Sequence, residues 1–332
     1  MNPPLVSVIV PHYNMNDTLP RLLDSIADQT FKNLEVIVID DGSRCDCYDI
    51  QNAYANKGLS IRLHEHGINK GTLQALITGI TLSKGFYVCI ASADDFLAGS
   101  EVLDHLVALA LAGGEEIIHA GTIIRDRDTG AEKLWDWAAP FADSLQGEEI
   151  FAAYVHGKLR GHSLSDKLYK RELWLSVLEQ ARGLSLHFEG EDAFLSSLLL
   201  AYCRSYRSST KIIHYYNRTN AVSRKTRSAR YLVNFHKMLT YMSPHFLALG
   251  LPSGLVKKYE AGIILHMKER AKIVGKALLQ QDSPEHAEFM LRLFEHVDKR
   301  QVEDALSKLA SLSWRHRWFY KSAIKKLSSV MP

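Results

Sequence analysis

Cysteine is scarce in this chain, and what there is does not pair. Four cysteines occur in 332 residues: Cys45, Cys47, Cys89 and Cys203. Cys45 and Cys47 are too close for an easy disulfide, Cys89 lies in an apolar run, and no spacing matches a zinc site. Reduced thiols are expected, and with them a cytoplasmic protein. No basic segment leads into an apolar one at the N-terminus, so no signal peptide is expected. No apolar run reaches the roughly 18 residues of a membrane span. A strong charge imbalance is missing too: a net charge of +3 does not by itself imply nucleic acid, which is not an expected partner. Two phosphate-binding signatures are also absent. A Rossmann dehydrogenase needs Gly-x-Gly-x-x-Gly after the first strand, where Pro11-His12-Tyr13-Asn14 stands instead, and no P-loop occurs. Any nucleotide must then be held by acids, backbone amides and an aromatic ring.

What is present is a regular alternation. Apolar residues make up 46% of the chain, enough for a real core in one large domain or two. The pattern predicts strands at residues 5–10 (ended by Pro11), 34–39, 60–64, 86–90 and 116–124. Helices are expected at 18–28 (capped by Asn16 or Asp17), 46–56, 72–83 and 101–112. Short links between them imply a Rossmann-like, mostly parallel sheet covered by helices on both faces. Residues 125–140 read as a charged, tryptophan-bearing hairpin over the site. Helices follow at 147–156, 171–181 and 192–202, with 167–169 extended and a strand at 211–216. Beyond 227 the chain reads as wholly helical, at 227–247, 253–280, 284–311 and 313–329. We therefore expect a domain over 1–226 and a C-terminal helical region over 227–332.

Two of the strands run into paired acids. Residues 34–39 end in Asp40-Asp41-Gly42-Ser43, and 86–90 lead to Asp94 and Asp95. Ligands of open α/β sheets bind at the carboxyl ends of strands. Acids there are costly without a cationic partner and suit Mg²⁺ or Mn²⁺ bridging to phosphates, although one of them could simply cap the next helix. Glu189, Glu191 and Asp192 open a helix, where complementing its dipole is the plain explanation. Residues 204–230 carry eight Lys and Arg and no acid, which marks an anion site or a solvated face.

Val6-Ser7-Val8-Ile9-Val10-Pro11-His12-Tyr13-Asn14, then Leu22-Leu23-Asp24-Ser25-Ile26 with Gln29-Thr30-Phe31, then Glu35-Val36-Ile37-Val38-Ile39-Asp40-Asp41-Gly42-Ser43, resembles the start of the family 2 glycosyltransferases. Asn69-Lys70-Gly71, Ala93-Asp94-Asp95, Asp166-Lys167-Leu168-Tyr169, Gly190-Glu191-Asp192 and Tyr216-Asn217-Arg218 with Ser223-Arg224 extend the resemblance to roughly residues 5–225. The resemblance implies the A-type glycosyltransferase fold with a C-terminal helical extension, and an inverting transfer from a nucleotide-sugar, here a UDP-sugar, to a saccharide or lipid-linked saccharide. It implies that Pro11 and Tyr13 line the nucleoside pocket, that Asp41 accepts from the base and that Asp40 supports its turn. Lys70 would contact the nucleotide and Asp94 ribose or sugar. Asp95 would bind Mn²⁺ or Mg²⁺, Asp192 would be the catalytic base and Glu191 would lie beside it. Arg218 and Arg224 would close over the diphosphate; His162, Trp135 and Trp137 are candidate acceptor contacts.

Two departures stand out. Ser92 occupies a place where the family often has a further acid, and Leu76-Ile77-Thr78 follows Ala75 where Arg-Asn is frequent. A non-catalytic nucleotide-sugar-binding protein and a transferase to polyprenyl phosphate are the alternatives. At the C-terminus Trp314, Trp318, Phe319, Ile324 and Leu327 alternate with Arg315, Arg317, Lys321, Lys325 and Lys326. Such a helix either packs on protein or lies on an anionic membrane, which would put the protein at the inner membrane face.

Overall fold

The computed structural model describes residues 3–44, 48–126, 129–135, 144–159, 162–181, 190–218, 229–279 and 298–330. They fall into two compact units, one within 1–187 and 191–220, the other within 188–190 and 221–332.

The first unit is built on runs of β-branched residues buried on both faces, as a covered sheet requires. β1 (Val6–His12) and β2 (Leu34–Asp40) are its centre, flanked by β3 (Ile61–Glu65) and β4 (Tyr87–Ile90). These four are parallel, in the order β3-β2-β1-β4. Next comes β9 (Lys167–Lys170), antiparallel to both β4 and β6 (Ile117–Asp126). β10 (Ser205–Arg218) lies parallel to β6, and β5 (Phe96–Leu97) closes the order beside β10. β7 (Glu132–Leu134) pairs antiparallel with β6 within the charged stretch expected to form a hairpin over the site, of which 127–128 and 136–140 lie outside the described residues, and β8 (Ser144–Gln146) joins β10. The sheet is thus parallel through β4 and mixed beyond it, because β9 enters between two parallel halves in reverse.

Helices cover both faces. Leu19, Leu22, Leu23 and Ile26 of α1 (Leu19–Ala27) join Leu103 and Leu106 of α4 (Val102–Gly113) against Val6, Val8 and Val10. On the other face α3 (Thr72–Leu82) presses Gly79 so close that an added Cβ would lie 2.3 Å from the Ile9 side chain. α2 (Tyr48–Ala55), α5 (Glu148–Val155), α6 (Arg171–Ala181) and α7 (Glu191–Tyr202) complete the unit.

Three local expectations are corrected. β1 does not stop before Pro11: Pro11 pairs with Ile39 on the β2 side. The β4 side ends at Ile9 opposite Ile90, so the missing Pro11 N–H has no β4 carbonyl to serve. Neither Asn16 nor Asp17 caps α1; the N-cap is Thr18, and the Asn16 amide oxygen takes the His12 ring instead. Phe86 is not in the buried strand but 52% exposed.

The second unit is α8 (Ala229–Ala248), α9 (Ser253–Leu279), α10 (Lys299–Leu312) and α11 (Arg317–Val330). Val302, Ala305, Leu306 and Leu309 bury the helical stripe of α10, whose N-terminus is capped by the Asp298 carboxylate on the Arg300 amide. Gly275 of α9 leaves room for the Phe319 ring, 2.6 Å from where a Cβ would stand. Residues 284–297, expected in a helix with α10, lie outside the described residues.

The sheet buries a charged group at its centre. Asp166 and Lys167, where β9 begins, form an ion pair shielded from solvent. The Lys167 ammonium also donates to the Ser163 carbonyl at 2.7 Å. His119 reaches the second Asp166 oxygen at 3.5 Å, and its other ring nitrogen meets the Tyr206 hydroxyl at 2.6 Å. Desolvation pushes the Asp166 carboxyl up, but Lys167 and His119 prevail and hold it down to about 2. A depressed carboxyl stabilises the fold above its unfolded value of about 4 and loses that contribution as pH falls toward 2. Lys167→Met leaves buried Asp166 with His119 alone as its charged partner and is expected to cost about 3–5 kcal/mol in urea unfolding. The double variant Asp166→Asn with Lys167→Met should recover much of that loss.

Candidate active site

The carboxyl ends of β1, β2 and β4 share one edge of the sheet, and the acids follow from them. Beyond Ile90 the chain turns, with the Asp95 amide on the Ser92 carbonyl at 3.0 Å. Asp95 is then drawn inward, where its carboxylate accepts the Asn217 amide at 2.8 Å and meets His214 Nε2 at 3.1 Å. Asn217 donates its side-chain amide to the Asp94 carbonyl, and Arg21 donates to the same oxygen. β10 thus pins the acidic turn, leaving the Asp94 side chain on a cavity of about 240 Å³.

A second clamp shapes the opposite wall. Asp41 accepts the Lys70 amide at 2.9 Å and the Gly71 amide at 2.8 Å. His66 Nδ1 donates to Asp41 at 2.7 Å, while His66 Nε2 meets the Thr78 hydroxyl at 2.9 Å. Two carboxylate oxygens offer about four acceptor positions, so one remains for a ligand. Gly42 makes the clamp possible. It sits at φ +80°, and an added Cβ would lie 2.6 Å from the Ile68 carbonyl carbon. Asp40 is not among the residues lining the cavity and accepts the Ser43 amide at 2.9 Å.

The cavity brings together most of the residues singled out in the sequence. Pro11, Tyr13, Asp41, Asp94, Glu191 and Asp192 all line it. Tyr13 is 43% exposed, so its ring face is available for stacking. The Lys70 side chain is exposed and does not line the cavity; only its amide takes part, through Asp41. Arg218 ends β10 opposite Asp126, but its side chain, like Arg224 and Trp137, lies outside the described residues. Trp135 stacks on Tyr216, and His162 meets the Tyr154 hydroxyl at 3.2 Å.

Asp192 lines the cavity and is exposed there. The protein packed around it, then the like charges of Glu191, Asp166 and Asp95, push this carboxyl up against the pull of Lys167, and the solvent that reaches its exposed side chain moderates the shift. Carboxylates from three separate segments therefore act on one another here. His66 and Thr78 were not foreseen from sequence, though Thr78 stands where the Arg-Asn pair is missing. Nor was His12, whose buried ring also lines the cavity. Burial lowers its pKa despite the Asp40 charge, and its Nδ1 has no hydrogen-bond partner.

The donor set bears on a divalent cation. No group of three or more His, Cys, Asp or Glu that could cage a metal occurs among the described residues. Asp95, the ligand expected from sequence, already gives an oxygen to each of His214 and Asn217. Asp94, facing the cavity, suits the mode in which one or two carboxylates share a cation with substrate phosphates.

Comparison with known proteins gives a consistent picture. The model of Glycosyl transferase family 2 matches residues 7–173. EpsH of Bacillus subtilis (strain 168), assigned as a glycosyltransferase, is 29% identical over 223 residues, covering 65% of this chain and 61% of its own. YibD of Escherichia coli (strain K12), an uncharacterized glycosyltransferase, is 24% identical over 281 residues, or 82% of this chain and 77% of its own. The chain thus covers under two-thirds of the length of EpsH. Among solved structures, Staphylococcus aureus TarS 1–349 with UDP superposes at a TM-score of 0.63 and 18% identity, over 98% of this chain and 89% of TarS. The same protein with UDP-GlcNAc gives 0.62, over 98% and 90% of the two chains. The mannosyltransferase PcManGT of Pyrobaculum calidifontis, with GDP-Man and Mn²⁺, gives 0.52 at 17% identity over 99% and 86%.

The Asp41 clamp can be tested through its glycine. Gly42→Ala is expected to cost about 1–3 kcal/mol in urea unfolding, because the left-handed φ and the close Ile68 backbone both oppose a side chain.

Proposed function

The chain belongs to glycosyl transferase family 2, and on that premise we propose that it is an inverting transferase acting on a UDP-sugar. The acceptor is a hydroxyl of a saccharide or lipid-linked saccharide, in cell-surface polysaccharide synthesis at the inner face of the membrane. The donor sugar is a hexose or an N-acetylhexosamine. The observation that carries this reading is the convergence of Tyr13, Asp41, Asp94 and Asp192 on one cavity. The UDP and UDP-GlcNAc held by TarS favour a uridine donor.

Pro11 and Tyr13 hold the nucleoside, and the remaining acceptor position of Asp41 takes an N–H of the base. Asp40 supports that turn. Asp94 faces ribose or sugar, with Glu191 beside it for sugar or acceptor; the Lys70 amide serves the nucleotide through Asp41, and Arg218 and Arg224 close over the diphosphate. A bound Mn²⁺ or Mg²⁺ would neutralise charge gathering on the leaving diphosphate. The acceptor oxygen attacks the anomeric carbon from the face opposite the diphosphate. As the carbon–oxygen bond forms, Asp192 takes the hydroxyl proton, and the electron pair of the breaking bond leaves with the diphosphate. One displacement inverts the anomeric centre.

Binding without transfer is the second reading, favoured by the engagement of both Asp95 oxygens. A screen of nucleotide sugars for thermal stabilisation, with and without Mn²⁺, identifies the donor under either reading; transfer from that donor to a saccharide separates them. No helix among the described residues is long and apolar enough to cross a membrane, which disfavours a membrane-embedded transferase to polyprenyl phosphate.

Asp192→Asn is expected to lower turnover by about 10²–10⁴-fold, the usual worth of a general base, while donor stabilisation persists. Near-normal turnover would contradict the assignment. A base must be deprotonated to act, so kcat/KM should rise with pH up to an apparent pKa well above the ordinary carboxylate range. Glu191→Gln removes a like charge, favours the Asp192 carboxylate and should move that limb to lower pH.

A further inference from the structure

α11 buries one face and leaves the other uncovered. Tyr320, Ala323 and Leu327, at helical spacing, are fully buried within the C-terminal unit, where α11 packs on α9 and α10. Away from that face stand Trp314, in a short 3₁₀ turn before the helix, and Trp318 one turn on, each 77% exposed. Lys321 and Lys325 continue the exposed stripe at spacings of three and four, and Arg315 and Arg317 flank it. The Arg315 guanidinium lies 5.4 Å from the Trp314 ring centroid. No Asp or Glu occurs from residue 313 to the end of the chain.

Indole rings are among the largest apolar surfaces a protein has, and exposure of two in one stripe is unfavourable in water. The basic residues around them restrict what can cover them. A second copy meeting the same patch across a two-fold axis would oppose cations to cations. Nor can the segment cross a bilayer, since no described helix is long and apolar enough. We propose that Trp314, Trp318 and the surrounding Arg and Lys residues form a docking surface for an anionic lipid bilayer. The indoles enter the headgroup region, where Trp is favoured, and each cation near the surface adds roughly 1 kcal/mol. The contact names a physical partner for the peripheral membrane location in the transferase reading, but the lipid binding itself needs no catalysis to be true.

The test uses the full chain with vesicles of phosphatidylcholine alone or mixed with phosphatidylglycerol. Co-sedimentation is expected with the anionic vesicles at low salt, with binding weakened by about tenfold or more on neutral vesicles. Trp314→Ala with Trp318→Ala should lower anionic partitioning by a similar factor, about tenfold. Lys321→Glu with Lys325→Glu should weaken it further and flatten its salt dependence. Both pairs are exposed, and unchanged thermal unfolding would verify folding. Equal vesicle binding by wild type and the Trp variant overturns the proposal, as does a wild type that ignores anionic vesicles. A change of mass in solution on Trp substitution, without a change in vesicle binding, would make the face an interface between copies and also overturn it. Stabilisation by UDP, measured alongside, reports separately on the transferase reading.

Discussion

The site depends on carboxylates held together against their mutual repulsion. Asp94 and Asp95 follow β4, Asp166 precedes β9, and Glu191 and Asp192 open α7. Left in a low-dielectric interior, such a group would take up protons or drive its members apart. The fold offsets some of them individually. Lys167 and His119 neutralise Asp166, while His214 and a backbone amide satisfy Asp95. Asp94 and Asp192 remain on the cavity wall, and the field of the whole group falls on Asp192. Like charges close by favour the protonated form of a carboxyl, and this is the electrostatic setting of Asp192.

Topology makes this convergence possible. A purely parallel sheet brings only successive strand ends to one edge. Here β9 enters antiparallel between β4 and β6, so the segment preceding it, with Ser165, reaches the cavity beside Ser92. β10 then brings His214 and Asn217 back to the acidic turn from more than a hundred residues away. On the opposite wall of the cavity the work is done by a short loop rather than a strand, with Asp41 tying down the Lys70 and Gly71 amides.

Elements carried by local pattern were legible in the sequence. β2 and α6 could be placed because long apolar runs and 3.6-residue periodicity act within one segment. Tyr13, Asp41, Asp94 and Asp192 could be placed on one site through motif order, and they share one cavity. What escaped was decided by distant partners. Phe86 resembles its buried neighbours in composition and is exposed only because β4 begins one residue later. Asn16 has cap chemistry but finds a better-placed donor in His12. Asp95 resembles Asp94 in sequence, and only β10 determines which of the two turns inward. The Thr78–His66–Asp41 relay joins residues from two loops and a helix, and nothing in their spacing announces it.

The central claim is electrostatic, and carbon-13 NMR titration of the aspartate side-chain carboxyls tests it most directly, with Asp192 assigned by its absence in the Asp192→Asn spectrum. The account predicts that this carboxyl titrates clearly above the ordinary value of about 4, raised by the charge of Glu191 beside it. A simple titration of Asp192 near 4, independent of its neighbour, would contradict it.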